Sequence, residues 1–415
     1  MDCIPDHVLD RILNNLSVLD LFRLQVVSRS FNNSCKRCLS DRTRLVVIED
    51  GSDSEKLNRL FDHDQCLIER IKLCSSDDII PPKPFKDNCD RILSLMPNLK
   101  DLFVTEFASF SFLNLKPCQG IQYFYFKSFV STEVIFGDSL VLKYFHGYLG
   151  PQNLVSMLDK CTCLEGLHAH VYHNETEVKA VPVLLRKLPL GLKYLNIRWF
   201  SDDVPYGSAL FASQAIKTLQ VIRDHGDIPA SINPFSAPEL TEFVVSKPIT
   251  DIVLQYLAMY SSKLKEVVLK FRPRTGDQPV YFPLRGLEKV TFCDPSDELV
   301  EILVRNNRNL QSFEVYRENK LTDVSFTHLT TLEHLTTITM DCNNLKTPSA
   351  TLLYFFRNRA SRPKTITFDG DLSYTSGDDK QTILELHHEM EAQNREGSQI
   401  NLLYSSRTRQ FMMNQ

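Results

Sequence analysis

The sequence predicts an α/β solenoid: a parallel sheet laid down one strand at a time, with helices returning between strands, preceded by a small three-helix segment at the N-terminus. Three observations predict it. A short apolar pattern returns about every 24 residues along most of the chain. The text between its returns often has helical spacing. The opening residues carry apolar stripes and helix-start signals of their own.

The N-terminal segment comes first. Pro5 suits the first turn of a helix, where its missing N–H costs nothing and its φ is already helical. Val8, Leu9, Ile12, Leu13 and Leu16 follow at helical spacings and lay a wide apolar stripe on one face. Ser17 with Asp20 three residues on is a second helix start, and Leu21, Leu24 and Val27 give that helix its stripe. So few residues hardly bury all these side chains among themselves, so a second surface is expected to cover them.

After residue 40 the pattern apolar-x-x-apolar-x-apolar opens at Ile68, Leu99, Ile121, Leu142, Leu164, Leu192, Ile216, Leu240, Leu264, Leu287, Leu310 and Leu335, and more faintly at Pro363. Starts from Leu192 to Leu335 are 24, 24, 24, 23, 23 and 25 residues apart. Steady self-similarity in this range marks a solenoid. Helical text intervenes at 153–158, 250–257 and 294–305, the last opened by a cap and Pro295. Longer helices are expected at 176–188 and 349–359, and a loop at 77–90 with Pro81, Pro82 and Pro84. Gly147 and Pro363 interrupt their windows. Residues 378–395 and 400–404 read as a last helix and strand that cap the solenoid. The boundaries are 1–42 for the opening segment, 43–405 for the solenoid and 406–415 for a loose tail.

Composition bounds the chemistry. The chain has 415 residues, 43% hydrophobic and 24% charged, with net charge -4. That is an ordinary globular composition with no basic excess for a phosphate backbone, so nucleic acid is not an expected partner. The first residues lack a positive, then apolar, secretory pattern, and no stretch is apolar for long enough to span a bilayer, so no membrane association is expected. The 11 cysteines are an odd number, which fits free thiols in a reducing compartment, cytosol or nucleus. There is no phosphate-binding glycine loop, no G-x-S-x-G elbow and no H-E-x-x-H, so catalysis and cofactor use are not expected.

Strand side chains alternate, so the third, fifth and seventh residues of each window should share the face opposite the core. In neighbouring windows these are Tyr123, Tyr125, Lys127; Tyr144, His146, Tyr148; Gly166, His168, His170; and Tyr194, Asn196, Arg198. Tyr and Arg dominate binding hot spots, although Tyr and Thr also simply favour strands. Later windows offer Thr218, Gln220, Glu242, Glu266, Lys270, Glu314 and Tyr316, a more acidic character. His146, His168 and His170 could in principle converge on a metal, but no carboxylate or Cys is spaced to complete a zinc set, so no metal is expected. Cys35-x-x-Cys38 lacks a second pair, and Cys161-x-Cys163 reads as core packing.

Ile4-Pro5 with Val8-Leu9, then Leu16-Ser17 with Asp20-Leu21, then Val27-Ser28-Arg29 with Phe31, resembles an F-box. The strand-and-helix repeats resemble leucine-rich repeats: an irregular horseshoe with a parallel sheet on its concave face and helices on its convex face. Phe31 stands where the F-box family often has Trp, and the Asn ladder of regular leucine-rich repeats is largely missing, with Asn343 in place once. The resemblance implies a non-catalytic substrate receptor of SCF-type (cullin-RING) ubiquitin ligases. It implies a Skp-type adaptor as partner, and through it a cullin and RING subunit, with an unidentified protein as substrate. Ile4, Pro5, Val8, Leu9, Ile12, Leu13, Leu16, Leu21, Leu24, Val27 and Phe31 would dock the adaptor; the Tyr, His and Arg face would hold the substrate. The other reading is a repeat scaffold with no ubiquitin role.

Overall fold

The computed structural model describes residues 6–13, 46–49, 70–74, 93, 98–105, 112–116, 118–127, 133–138, 141–171, 180–199, 207–224, 234–271, 281–293, 295–316, 321–341, 365–369, 381, 384–385, 388, 392 and 401–404. They belong to two compact units, Met1–Ser201 and Asp202–Gln415.

The first unit opens with helix α1 (Asp6–Leu13). Its strands are β1 (Val46–Glu49), β2 (Arg70–Cys74), β3 (Asp101–Thr105), β4 (Phe112–Asn114), β5 (Tyr123–Lys127), β6 (Glu133–Ile135), β7 (Tyr144–Leu149), β8 (Gly166–Val171) and β9 (Tyr194–Trp199). Helices α2 (Pro151–Lys160) and α3 (Ala180–Arg186) return the chain between β7, β8 and β9. The main sheet runs β1-β2-β3-β5-β7-β8-β9, every pairing parallel. Parallel neighbours need a crossover, which these return segments provide.

The second unit carries α4 (Gly207–Ala212), a 3-10 turn at Gln214–Lys217, β10 (Val221–Asp224), β11 (Glu242–Ile249), α5 (Asp251–Tyr260), β12 (Glu266–Phe271), β13 (Lys289–Cys293), α6 (Asp297–Asn306), β14 (Ser312–Tyr316), α7 (Asp323–Leu329), β15 (Thr337–Asp341), β16 (Thr365–Asp369) and β17 (Asn401–Tyr404). These strands pair in sequence order, again all parallel. Residues 381, 384, 385, 388 and 392 are helical, as the capping segment requires. The expected loop at 77–90 and helix at 349–359 lie outside the described residues.

One repeat motif explains the regular stretches. α2, α5 and α6 are each ten residues long and end on a buried small residue, Cys161, Ser261 or Asn307, whose N–H bonds back into the last turn. Two exposed residues and a buried Leu (Leu164, Leu264, Leu310) follow, and the strand starts two residues later. Asn307 does most: its Oδ1 accepts from Leu287 N at 2.8 Å, while its Nδ2 donates to Leu284 O at 3.1 Å and Leu303 O at 3.0 Å. A buried amide with every bond made ties two consecutive repeats together. Burial pushes the Cys161 thiol up to about 12, so it is an inert packing group. Cys163 is exposed, which limits the packing role expected of that pair to Cys161.

The structure corrects the repeat register once. Ile216 does not open a window; it is buried in the 3-10 turn that Ser213 caps, and the strand begins after Leu219. Ile216 and Leu219 are both buried at a spacing of three, so they mimic the start of a window. Thr218 and Gln220 are therefore not strand positions. Three strands have no counterpart in the repeat pattern: β1, which pairs with β2 ahead of the first window at Ile68, and β4 and β6, which pair with each other in a separate parallel ribbon. Their apolar runs are three or four residues long, too short for a helix. Lys160 at the end of α2 secures the turn after β6, donating to Phe136 O at 2.8 Å and pairing with Asp138.

Gly147 sits within β7, and the interruption it makes in its window has a steric cause. A Cβ there would lie 2.2 Å from Phe126 O on β5. Gly147→Ala should destabilise the protein by about 1–3 kcal/mol, as overpacking does. Gly150→Ala, where a Cβ meets nothing within 4 Å, should change little. Urea unfolding of both variants checks the contrast.

Candidate functional site on the sheet face of the first unit

Alternation along β5 and β7 buries Phe124, Phe126, Phe145 and Leu149 and leaves Tyr123, Tyr125, Lys127, Tyr144, His146 and Tyr148 on the opposite face. Register then stacks these residues in rows. Phe103, Tyr125, His146, His168 and Asn196 stand opposite one another across β3, β5, β7, β8 and β9. Asp101, Tyr123, Tyr144, Gly166 and Tyr194 form a second row, and Tyr148, His170 and Arg198 a third. The face expected from the sequence is thus assembled, with two amendments. Asn196 lies on it but is buried, at 8% exposure. Phe103, the fifth residue of the Leu99 window, belongs to it as well, with its ring 5.4 Å from Tyr123 and 6.3 Å from Tyr125. Its place in the window is the signal that marks it.

The rings touch in sequence across the strands. Tyr123 lies 6.4 Å from Tyr144, and Tyr125 meets His146 edge-on at 4.7 Å. His146 stacks on His168 at 3.9 Å, and Tyr148 stacks on His170 at 4.5 Å. The Nε2 atoms of His168 and His170 are 3.1 Å apart, a hydrogen bond in which one ring donates and the other accepts. Gly166 makes room for this layer: a Cβ there would fall 2.5 Å from the Tyr144 ring. Aromatic neighbours at these separations attract beyond their buried area.

Charge is sparse on this face. Asp101 is the one carboxylate among the outward residues of β3, β5, β7, β8 and β9, and it pairs with Arg70 at the edge. Burial lowers the His146 pKa, so this ring is held neutral. Burial, helped by Tyr125 and Asp101, raises that of the Tyr123 phenol.

The corresponding face of the second unit is ionic. Arg223 bonds Glu242 at 2.6 Å, and Lys289 lies 3.1 Å from Glu266 and 3.4 Å from Glu314. Thr291 donates to Glu314 at 2.9 Å. Burial alone would lower the Lys289 pKa, but the two carboxylates outweigh it and raise it. The acidic character expected here is largely neutralised by pairing.

At the other candidate site, α1 leaves Val8 38% and Ile12 50% exposed, one turn apart, while Leu13 is fully buried. Leu13 therefore faces inward. Leu9 is helical in backbone, its side chain outside the described residues, as are Ile4, Pro5, Leu16, Leu21, Leu24, Val27, Phe31 and the Cys35–Cys38 pair.

The F-box domain family matches residues 1–43. No curated protein matches the chain. Among solved structures, a chain of the Rad7–Elc1 complex of yeast is similar at 12% identity, over 90% of each chain, with a TM-score of 0.40.

The environment of His146 makes stability pH-dependent. Its folded pKa lies below the unfolded value, so the unfolded chain takes up the proton first and acid favours unfolding. Melting temperature should fall as pH drops through about 6.5. His146→Gln should flatten that part of the profile.

Proposed function

We propose that the chain is the substrate-recognition subunit of an SCF-type, cullin-RING ubiquitin ligase. Residues 1–43 would dock a Skp-type adaptor, which links to a cullin and a RING subunit. The strand-and-helix units, read as irregular leucine-rich repeats, would capture a target protein on the aromatic and histidine face. The observation that carries this reading is the F-box match at residues 1–43, on whose first helix Val8 and Ile12 present apolar surface to solvent.

The chain contributes proximity rather than a nucleophile. Holding a target lysine beside a ubiquitin thioester turns a bimolecular step into an effectively intramolecular one. The aromatic face suits protein capture. Tyrosines offer large apolar area with a polar tip at low entropic cost, and little charge has to be desolvated. A cytosolic or nuclear location goes with this role.

Two paired experiments test it. Fully burying a Leu- or Ile-sized side chain contributes about 1.5–3 kcal/mol, and Val8 and Ile12, at 38% and 50% exposure, together have about one such side chain left to cover, so Val8→Asp with Ile12→Asp should weaken adaptor binding about 10–100-fold. The melting curve should stay in place, because both side chains already face solvent. Retained adaptor and cullin in a pull-down of that variant would leave only a repeat scaffold without a ubiquitin role. In cells, Tyr125→Ala with Tyr144→Ala should lengthen target half-life while adaptor binding persists. Unchanged turnover would move the capture surface elsewhere.

A further inference from the structure

We propose that His146, His168 and His170 bind a divalent metal ion of the zinc class, with one coordination position left open. The arrangement follows from strand geometry. His168 and His170 are two residues apart on β8 and so point to the same side. His146 stands directly opposite His168 on β7. One ring nitrogen of each of the three lies within 4.8 Å of the others, and all three residues are half-buried on the sheet face.

The distances suit a shared ion. Zinc–nitrogen bonds of about 2.0–2.1 Å at tetrahedral angles put two ligand nitrogens about 3.3 Å apart. The His168 and His170 Nε2 atoms, 3.1 Å apart, need to open by a few tenths of an ångström, and both rings must tilt so that their lone pairs meet at the ion rather than face each other. That contact now requires a donor on one ring and an acceptor on the other; an ion would replace the shared proton and take a lone pair from both. His146 must move further. Its ring is parallel to that of His168, 13° between planes, whereas a metal lies in the plane of each imidazole that binds it. Rotation about its two side-chain bonds has to bring the ring out of the stack and turn one nitrogen toward the His168–His170 pair.

The surroundings support ligation over mere packing. Neutral imidazole is the ligating form, and burial already favours it for His146. Three neutral nitrogens, with Lys127 and Arg198 elsewhere on the face, select a late first-row ion that imidazole binds well, rather than calcium or magnesium. Asn196 is an independent sign. It is buried in register beside His168, and its Oδ1 accepts no hydrogen bond. A water at the open position would be a donor for such an acceptor. The lack of a carboxylate or Cys, from which the sequence alone argues against a metal, is no obstacle, because three imidazoles plus a water complete a zinc sphere.

Titrating the purified full-length chain with cobalt(II) and zinc(II) at about pH 7.5, above the ordinary histidine range, tests this. One equivalent should bind. The cobalt form should show tetrahedral visible bands without a thiolate charge-transfer band. His168→Ala and His170→Ala should each weaken binding by more than the about 10–100-fold that losing a mere supporting residue causes. Affinity should fall as pH drops through about 6.5. The absence of one-equivalent binding, or variants that bind like the parent, would overturn the site. So would a thiolate spectrum, which would assign the ion to one of the 11 cysteines. If the alanine variants do not fold, the parent's stoichiometry and cobalt spectrum decide alone.

Discussion

Among the described residues, neighbouring repeats within each unit are fastened by a single carbonyl that accepts two consecutive N–H groups. Gln122 O takes Lys143 N and Tyr144 N; Lys143 O takes Glu165 N and Gly166 N; Glu165 O takes Lys193 N and Tyr194 N. In the second unit, Gln220, Thr241, Lys265, Glu288 and Gln311 do the same for the strands that follow them. All these bonds lie between 2.8 and 3.1 Å. A carbonyl has two lone pairs, so a doubly used one satisfies an extra donor at the point where each strand begins. The clamp fixes register at the strand's first residue. A parallel strand that starts in register stays in register unless a bulge intervenes, as it does in β11 between Val244 and Pro248.

Register in turn makes the surface. A slip of one residue would send His168 and His170 into the core and bring Leu167 and Ala169 out. With the clamp in place, residues from β3 to β9 that are far apart in sequence stand side by side. Phe103, Tyr125, His146 and His168 form one continuous file of rings. The core side is equally ordered, with Phe124 against Phe126 and Phe145. The backbone of β5 comes so close to β7 that a Cβ at position 147 would meet the Phe126 carbonyl, which is why β7 needs a glycine there.

The two units use the same scaffold for different surfaces. In the second, Lys and Glu from adjacent strands neutralise one another at partly exposed sites, where each pair is worth little but none repels. In the first, rings replace ions, and desolvation on contact with a partner costs less. A proximity device of the kind proposed benefits from that asymmetry. It needs one face that adheres, while the rest of the molecule stays soluble.

Much of this was legible in the chain. The period and the alternation that separates Tyr125 and His146 from Phe124 and Phe145 follow from local hydrophobic spacing, which each segment carries by itself; the parallel direction of the strands was what the likeness to leucine-rich repeats implied. The start of β10 was not legible, because Ile216 and Leu219 are both buried and only the carbonyl clamp on Gln220 distinguishes a turn from a strand. Nor was the β4–β6 ribbon, whose two short runs become strands only by pairing with each other. Local spacing determined which side chains leave the core; the three-dimensional packing alone decided how they meet. The burial of Asn196, the inward turn of Leu13 and the closeness of three imidazoles depend on neighbours supplied by other repeats, and no single stretch of sequence contains them.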